Sequence, residues 1–299
     1  MLIFYTRHPH VEASVTKATS WEVTHVCWKH VEPLIPSRQR SAEQTYARKS
    51  GGGRKPKDPR LVFEAIVFVL RTGCQWKALP AERFGSASAV HARFLEWEKA
   101  GVFEALWKTG LAEYDDFEGI AWRWQSIDGA MMKAPMAQQS VGANPTDREK
   151  NGSKRHLLVD GRGVPLSIVV TGANRHDVSQ LEAVLDGIVI KRNNPPQRRH
   201  KHLCADAAYT GAPALGVIQK HGYIAHVKGR GQEARELKRE PKKKARRWVV
   251  KVAHSWFNRF RKLLVRYEKL DRSFLALNHL AASIMALRKI NLTINIIYG

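Results

Sequence analysis

The sequence predicts an α/β protein in which a helical N-terminal region precedes a mixed sheet flanked by helices. Helical spacing of apolar residues dominates the first part of the chain, short apolar runs between turn residues follow from Ile120, and helical spacing returns at Arg246. The 299 residues include nine tryptophans and are 43% hydrophobic, which allows a sizeable core. We expect an extension over residues 1–26, a helical domain over 27–118 and a sheet-containing domain over 119–299.

Capping residues and apolar spacing predict three helices in the helical domain. Asp58 is a favourable N-cap with Pro59 at the first helical position, and Gly73 ends this helix. A second helix, from Ser86 to Lys99, directs one apolar face to the core, and a third runs from 102 to about 114. This succession is typical of a helix-turn-helix unit, whose second helix would enter a DNA groove.

The polar face of the second helix has two interpretations. It carries His91, Arg93, Glu96 and Lys99. These side chains suit insertion into a DNA groove, but an ordinary solvated helix face shows the same pattern. The basic composition favours DNA, so we expect contacts from His91 and Arg93, and from Arg54 and Lys55 in the preceding glycine-rich arm.

The second domain is predicted to begin with strands and end with helices. The strands are expected at 121–127, 154–159, 164–170, 203–205 and 224–227. Asp177 can cap a helix between the third and fourth strands, with Gln180 completing a capping box. A later helix is predicted to pack on the sheet through residues that recur every four positions: Trp248, Val252, Trp256, Phe260 and Leu264. A last helix is expected from Ser273 to about Lys289.

The charge of the chain predicts a polyanionic partner. The formal charge is +23, with 50 Lys and Arg against 27 Asp and Glu, so nucleic acid is the first candidate. The charge is clustered at 198–202 and at 242–247, which argues against a merely soluble basic surface. An anionic membrane is the weaker alternative, because no amphipathic or spanning element adjoins these runs. The expected DNA contacts in the second run are Lys242, Lys243, Lys244, Arg246 and Arg247.

Cysteine usage and hydropathy predict a cytoplasmic, nucleoid-associated protein. The three cysteines have no metal-ligand spacing, so neither a disulfide framework nor a zinc site is indicated. The longest apolar run, 61–70, is too short to span a bilayer, and the first residues lack the features of a signal peptide.

Two aspartates follow apolar runs and suggest phosphodiester chemistry. They are Asp128, after Ser126-Ile127, and Asp206, after the predicted strand 203–205. Carboxylates aimed together from neighbouring strand ends are the oxygen ligands that Mg²⁺ prefers, although lone aspartates at strand ends are also common turn formers. Three strands, a helix, a strand bearing a second acid and a later helix form the order expected of a ribonuclease-H-like fold.

Longer motifs resemble the bacterial insertion-sequence transposases of family five. They lie, in the family's order, at 52–56, 71–76, 152–156, 172–177 and 256–261. The resemblance, over roughly residues 27–290, implies a DDE transposase with an N-terminal DNA-binding region and a ribonuclease-H-like catalytic domain that cuts transposon ends and joins them to target DNA. It also implies two Mg²⁺ ions, with Mn²⁺ as a substitute, double-stranded DNA as partner, and a homodimer on that DNA.

The resemblance places the three catalytic positions on Asp128, Asp206 and Lys251. The third departs from the family, which has glutamate where this chain reads Trp248-Val249-Val250-Lys251. An ammonium has no lone pair for a metal, and we expect it to repel Mg²⁺ while pairing with one of the aspartates. Neither Glu268, too distant along a continuous helix, nor the acids at 236 and 240 is expected to replace the glutamate.

Three functional hypotheses follow. The first is a transposase whose catalysis is impaired by Lys251. The second is a non-catalytic DNA-binding derivative that occupies transposon ends or inhibits active subunits. The third, a generic ribonuclease-H-like nuclease, does not explain the helical region.

Other motif residues have open roles. His176 and Asp177 either organise the site or, for Asp177, cap a helix. Lys154 and Arg155 either track phosphates or lie on a surface strand, and Arg259 in the last motif is counted as a DNA contact.

Overall fold

The computed structural model describes residues 22–37, 55–190, 200–228 and 246–290, with isolated positions 45, 231, 235, 238 and 239. The described helices are α1 His25–Val31, α2 Pro59–Thr72, α3 Ala81–Phe84, α4 Ala87–Lys99, α5 Val102–Glu118, α6 Leu181–Asp186, α7 Ala212–Lys220, α8 Trp248–Asn258 and α9 Asp271–Ile290. The described strands are β1 Trp124–Lys133, β2 Gly142–Ala143, β3 Asn151–Val159, β4 Pro165–Gly172, β5 Lys201–Ala205 and β6 Tyr223–Val227. None of these helices is long and apolar enough to cross a bilayer.

The strands form one mixed sheet. Its five longer members lie in the order β4-β3-β1-β5-β6, and the two-residue β2 pairs with the start of β3. The pairs β1/β3 and β3/β4 are antiparallel, whereas β1/β5 and β5/β6 are parallel. A three-strand meander extended by two parallel strands at its first strand is the ribonuclease-H-like arrangement, so the predicted fold class is confirmed.

Both ends predicted for α2 form as expected. The Asp58 side chain accepts a hydrogen bond from the backbone N–H of Arg60, and Gly73 ends α2 in the left-handed region at φ 73°. In α4, Val90, Phe94 and Trp97 are the fully buried positions, which confirms the predicted core face.

The helical and sheet-containing parts share a core. Helix α9 is buried on nearly all sides and packs along α5, where a β-carbon at Gly110 would lie 3.2 Å from Cγ of Leu287. The indole of Trp107 donates a hydrogen bond to the Pro165 carbonyl of β4 and contacts the His279 ring of α9. The last helix therefore joins the two parts of the chain.

The apolar stripe predicted for the later helix was wrong. Helix α8 buries Val250, Ala253, His254 and Phe257, whereas Trp248, Val252 and Trp256 are 49%, 39% and 37% exposed. Beyond the helix, Phe260 is buried and Leu264 is exposed. The spacing i, i+3, i+4, i+7 follows the helical repeat of 3.6 residues, but a strict spacing of four drifts around the helix, so the tighter set faces the sheet.

Candidate active site

Asp128 and Asp206 occupy matching positions on neighbouring parallel strands. Ser126 of β1 is in register with Cys204 of β5, and each aspartate lies two residues further on, so both belong to the same face of the sheet. The prediction that Asp128 closes its strand was wrong, because β1 continues to Lys133. It is β5 that ends, which leaves Asp128 beside the open end of that strand.

Local hydrogen bonds orient both carboxylates. Asp206 is the N-cap of a 3-10 turn over Ala207–Tyr209, and its Oδ1 accepts from the Ala208 N–H at 2.8 Å. The Oδ1 of Asp128 accepts from the Gly129 N–H at 3.0 Å. Each carboxylate keeps oxygen lone pairs for a further ligand.

The surroundings of Asp128 oppose its ionisation. Burial raises the pKa of Asp128, and the negative charges of Asp206 and Asp177 act in the same direction. The Gly129 N–H and the charge of Lys251 act against them. A cation bound between the aspartates would relieve the carboxylate repulsion.

Lys251 lies on the exposed side of α8 and influences Asp128 without touching it. Its positive charge favours the ionised form of Asp128, yet within the described ranges no carboxylate lies within 4 Å of its ammonium group. The expected direct pairing with an aspartate is therefore absent among these residues. An exposed ammonium keeps its hydration, which competes with a surface ion pair.

Asp177 does not cap a helix, so one of the two roles predicted for it was wrong. The residues Asp177–Gln180 form a 3-10 turn without a side-chain cap. The Oδ1 of Asp177 instead lies 3.2 Å from Lys154 Nζ and 3.3 Å from His156 Nδ1. Burial alone would raise the pKa of Asp177, but the His156 hydrogen bond and the Lys154 charge hold it below its usual value.

The charges of the acids act on a buried tyrosine hydroxyl. Tyr209 is fully buried, and its hydroxyl has no hydrogen-bond partner among the residues described. Burial raises the pKa of Tyr209, and the charges of Asp177, Asp128 and Asp206 raise it further. In the sequence, only its place three positions after Asp206 marks this residue.

Of the three glutamates considered as substitutes, the structure describes one, Glu268. Helix α8 ends at Asn258, so Glu268 is not on a continuation of it. Glu268 is buried and pairs with Lys262 at 3.1 Å. Positions 236 and 240 lie outside the described residues.

The donor set for a divalent metal is short by one carboxylate. Asp128 and Asp206 offer the hard oxygen atoms that Mg²⁺ prefers. In the part of the chain that is described, no group of three or more His, Cys, Asp or Glu residues is arranged to hold a metal ion. The two aspartates fit such an ion chemically, whereas Lys251 does not.

The predicted DNA contacts on β3 are buried. Arg155 is 1% exposed; its guanidinium donates to Asn278 Oδ1 and lies 4.2 Å from the centre of the Phe257 ring. Lys154 is 7% exposed, and its ammonium donates to the Arg175 carbonyl. Neither side chain can reach a DNA phosphate unless the structure opens locally, so neither is suited to contact DNA.

The two residues of α4 that are predicted to contact DNA already make contacts within the protein. The His91 ring packs 4.8 Å from the centre of Trp76, and burial lowers the pKa of His91. Arg93 donates to both carboxylate oxygens of Glu96. The exposed face of α4 is thus less basic than the sequence indicated.

The remaining predicted contacts are scattered. Lys55 is exposed, and the Arg259 guanidinium lies over the ring of Trp256 at 4.1 Å. Arg246 and Arg247 immediately precede α8, with Arg246 exposed. Arg54, Lys242, Lys243 and Lys244 lie outside the described residues.

The strand order and the paired aspartates define a protein of the ribonuclease-H-like class. A family model described as "Putative transposase of IS4/5 family (DUF4096)" matches residues 23–107, and a "Transposase DDE domain" model matches residues 203–288. The chain belongs to the IS4/5 family of transposases.

Two relatives from Burkholderia cepacia carry insertion-element names. The "Putative transposase for insertion sequence element IS402" is 35% identical over 43% of this chain, and the match covers 60% of that protein. The "Insertion element IS402 uncharacterized 16.2 kDa protein" is 32% identical over 40% of this chain, and the match covers 77% of that protein. A solved structure, the pre-cleavage Mos1 transpososome, is 11% identical over 83% of this chain and 82% of its own, with a TM-score of 0.28, which is too low to add to the fold argument.

Proposed function

We propose that this protein is a DNA transposase of a bacterial insertion sequence that binds terminal inverted repeats but cuts them poorly. Residues 27–118 would form the DNA-binding domain and residues 119–299 the catalytic domain, acting as a homodimer on DNA. The observation that carries the proposal is the placement of Asp128 and Asp206 at matching positions on adjacent parallel strands in a chain of this family.

The proposed chemistry is hydrolysis and transfer at a phosphodiester. Asp128 and Asp206 would hold Mg²⁺, or Mn²⁺ in its place. The bound metal, as two ions, would activate a water or a DNA 3′-hydroxyl and stabilise the departing oxygen. The protein residues position the ions, and the repulsion that raises the pKa of Asp128 favours cation binding there.

Lys251 is the reason to expect weak cutting. Its charge already acts on Asp128, so it competes electrostatically with a metal, and it supplies no oxygen ligand. The same observation favours the second candidate, a non-catalytic derivative that occupies transposon ends or inhibits active subunits. Both candidates bind the transposon ends, so the presence or absence of cleavage separates them.

The test is strand cleavage, with Mg²⁺ or Mn²⁺, of a duplex that carries the inverted repeats flanking the gene. The native protein, Lys251→Glu and the size-matched Lys251→Gln would be compared. We expect Lys251→Glu to cut at least tenfold faster than both others, because only glutamate adds an oxygen anion. Equal and robust cutting by all three proteins would refute the proposed impairment.

Two further results bear on the function itself. A double variant Lys251→Glu/Asp206→Asn should lose the gained cleavage. If Lys251→Glu still cuts nothing while binding the repeats selectively, the non-catalytic candidate is supported. Cleavage without preference for the repeats over random DNA would instead indicate a generic nuclease.

A further inference from the structure

Two basic runs that are distant in sequence converge on one tryptophan. The guanidinium of Arg246, from the run before α8, lies 4.2 Å from the centre of the Trp124 ring. The ring of His202, from the run that enters β5, stacks on Trp124 at 4.2 Å with an interplanar angle of 16°. Trp124 and His202 are also register partners in the β1/β5 pair.

A second histidine completes this cluster. His226 of β6 lies 4.8 Å from Trp124 between ring centres, and its Nε2 is 2.9 Å from Nδ1 of His202. One imidazole must donate this hydrogen bond and the other accept it, so the pair is not doubly protonated while the bond persists. Both rings are half-buried, so solvent and ligands can reach them.

Positive charges surround the pair. The charged groups that act on it are Arg123 in the turn before β1, His200 before β5, Lys228 after β6, and Arg246 before α8. Burial lowers the pKa of His202, and His226, Arg123, His200 and Arg246 lower it further. Burial also lowers the pKa of His226, and Lys228 and Arg246 lower it further. The charges that act most strongly on the two rings are all positive, so an anion at this place would relieve repulsion.

The cluster lies on the sheet face that carries the two aspartates. Trp124, Ser126 and Asp128 alternate along β1 and therefore share a face. Four residues at about 3.3 Å each separate Trp124 from Asp128 by roughly 13 Å. At about 3.4 Å per nucleotide, this distance is roughly four steps along one DNA strand.

We propose that Trp124, His202, His226 and Arg246, with Arg123, form a DNA contact that holds the phosphodiester backbone a few nucleotides from the site of cleavage. The inference rests on the proposed function and adds the place and chemistry of a DNA contact outside the candidate active site. The Trp124 ring already contacts a guanidinium and two imidazoles, so the cluster offers positive charge rather than a free ring. A guanidinium held over the indole can still form paired hydrogen bonds to phosphate oxygens through its edge.

Phosphate binding at this cluster would be linked to protonation. A nearby phosphate favours the imidazolium form and so raises the pKa of whichever histidine faces it. Protons are then taken up on binding, and DNA affinity increases as the pH falls toward 6.

The experiment measures affinity for the repeat duplex by fluorescence anisotropy, at pH 6 and pH 8 and at constant ionic strength. The variants are Arg246→Gln and the double variant His202→Gln/His226→Gln. Lys220→Gln is the matched control, because Lys220 is an exposed cation on α7 that pairs with Glu182 and lies outside the proposed DNA-binding domain. We expect Arg246→Gln to bind at least fivefold more weakly, with a salt slope smaller by about 0.9 if one phosphate contact is lost. The histidine double variant should lose most of the pH dependence.

Unchanged affinity and unchanged pH dependence, relative to Lys220→Gln, would overturn the inference while leaving the proposed function intact. Failure of the native protein to bind the duplex at low salt would instead refute the proposed function. If the histidine double variant does not fold, Arg246→Gln decides alone, because Arg246 is exposed.

Discussion

The carboxylate of Asp177 occupies the place where a β-carbon of residue 129 would be. A β-carbon built on Gly129 would lie 2.3 Å from Oδ1 of Asp177 and 3.2 Å from Cδ of Lys154. Glycine at 129 therefore allows the acid and its counter-charges to pack directly against β1, one residue from Asp128.

We expect Gly129→Ala to destabilise the protein by about 1–3 kcal/mol, the range for overpacking a tight site. It should also displace Asp177 from Lys154 and His156. The measurement is the free energy of unfolding in denaturant. Gly216→Ala is the control: its β-carbon meets nothing within 4 Å in α7, so it should be neutral or stabilise by up to about 1 kcal/mol. Equal effects of the two variants would contradict the contact.

Lys251→Glu should increase the affinity for Mn²⁺ in the absence of DNA. The substitution removes a cation that acts on Asp128 and adds an oxygen ligand on the same helix. Isothermal titration calorimetry of the native protein, Lys251→Glu and Lys251→Gln would measure this. An affinity gain of tenfold or more is expected for the glutamate only. A similar gain with glutamine would show that charge removal alone is sufficient.

Buried neutral histidines should make the fold acid-sensitive. Burial lowers the pKa of His254 to about 3 and that of His279 to about 4. Since both values lie below the unfolded value near 6.5, their contribution to stability is complete above that pH and is lost as the pH falls. Each histidine should lower the free energy of unfolding by about 1.4 kcal/mol per pH unit as the pH falls from 6 to 4.

The check is the free energy of unfolding at pH 7, 6 and 5. The variant His279→Gln removes one of the two titrating groups. The part of the slope of unfolding free energy against pH that comes from these histidines should therefore fall by about half, whatever the absolute stability of the variant. A slope equal to that of the native protein would contradict the assignment of His279.

Substitution of two arginines that were both predicted to contact DNA should have different effects, one on stability and the other on DNA binding. Arg155→Ala should destabilise the fold by about 2–5 kcal/mol, because it leaves a cavity beneath α8 and removes the hydrogen bond to Asn278. The folded fraction should still bind DNA normally. Arg246→Ala should change stability by less than about 1 kcal/mol but weaken DNA binding. Thermal unfolding and anisotropy on the same samples would distinguish the two, and a reversed pattern would refute both assignments.

Prediction from the sequence succeeded where local chemistry determines structure. The Asp58 cap, the αL glycine at 73 and the buried face of α4 depend on neighbouring residues, and all are present. Patterns with two compatible solutions were less informative. The stripe at 248, 252 and 256 and the buried set of α8 are both apolar, and only packing against the sheet selects between them.

The sequence by itself determined the fold class, the family, the order of the two aspartates along the chain and the lysine at the position where the resemblance implies a glutamate, because these depend on residue identity and order. Only the tertiary structure decided that Asp177 pairs with Lys154 and His156, that Arg155 is buried, and that two basic runs meet at Trp124. The physical reason is that burial and cross-strand contacts depend on register and on which helix face meets the sheet, and no spacing along one chain specifies them.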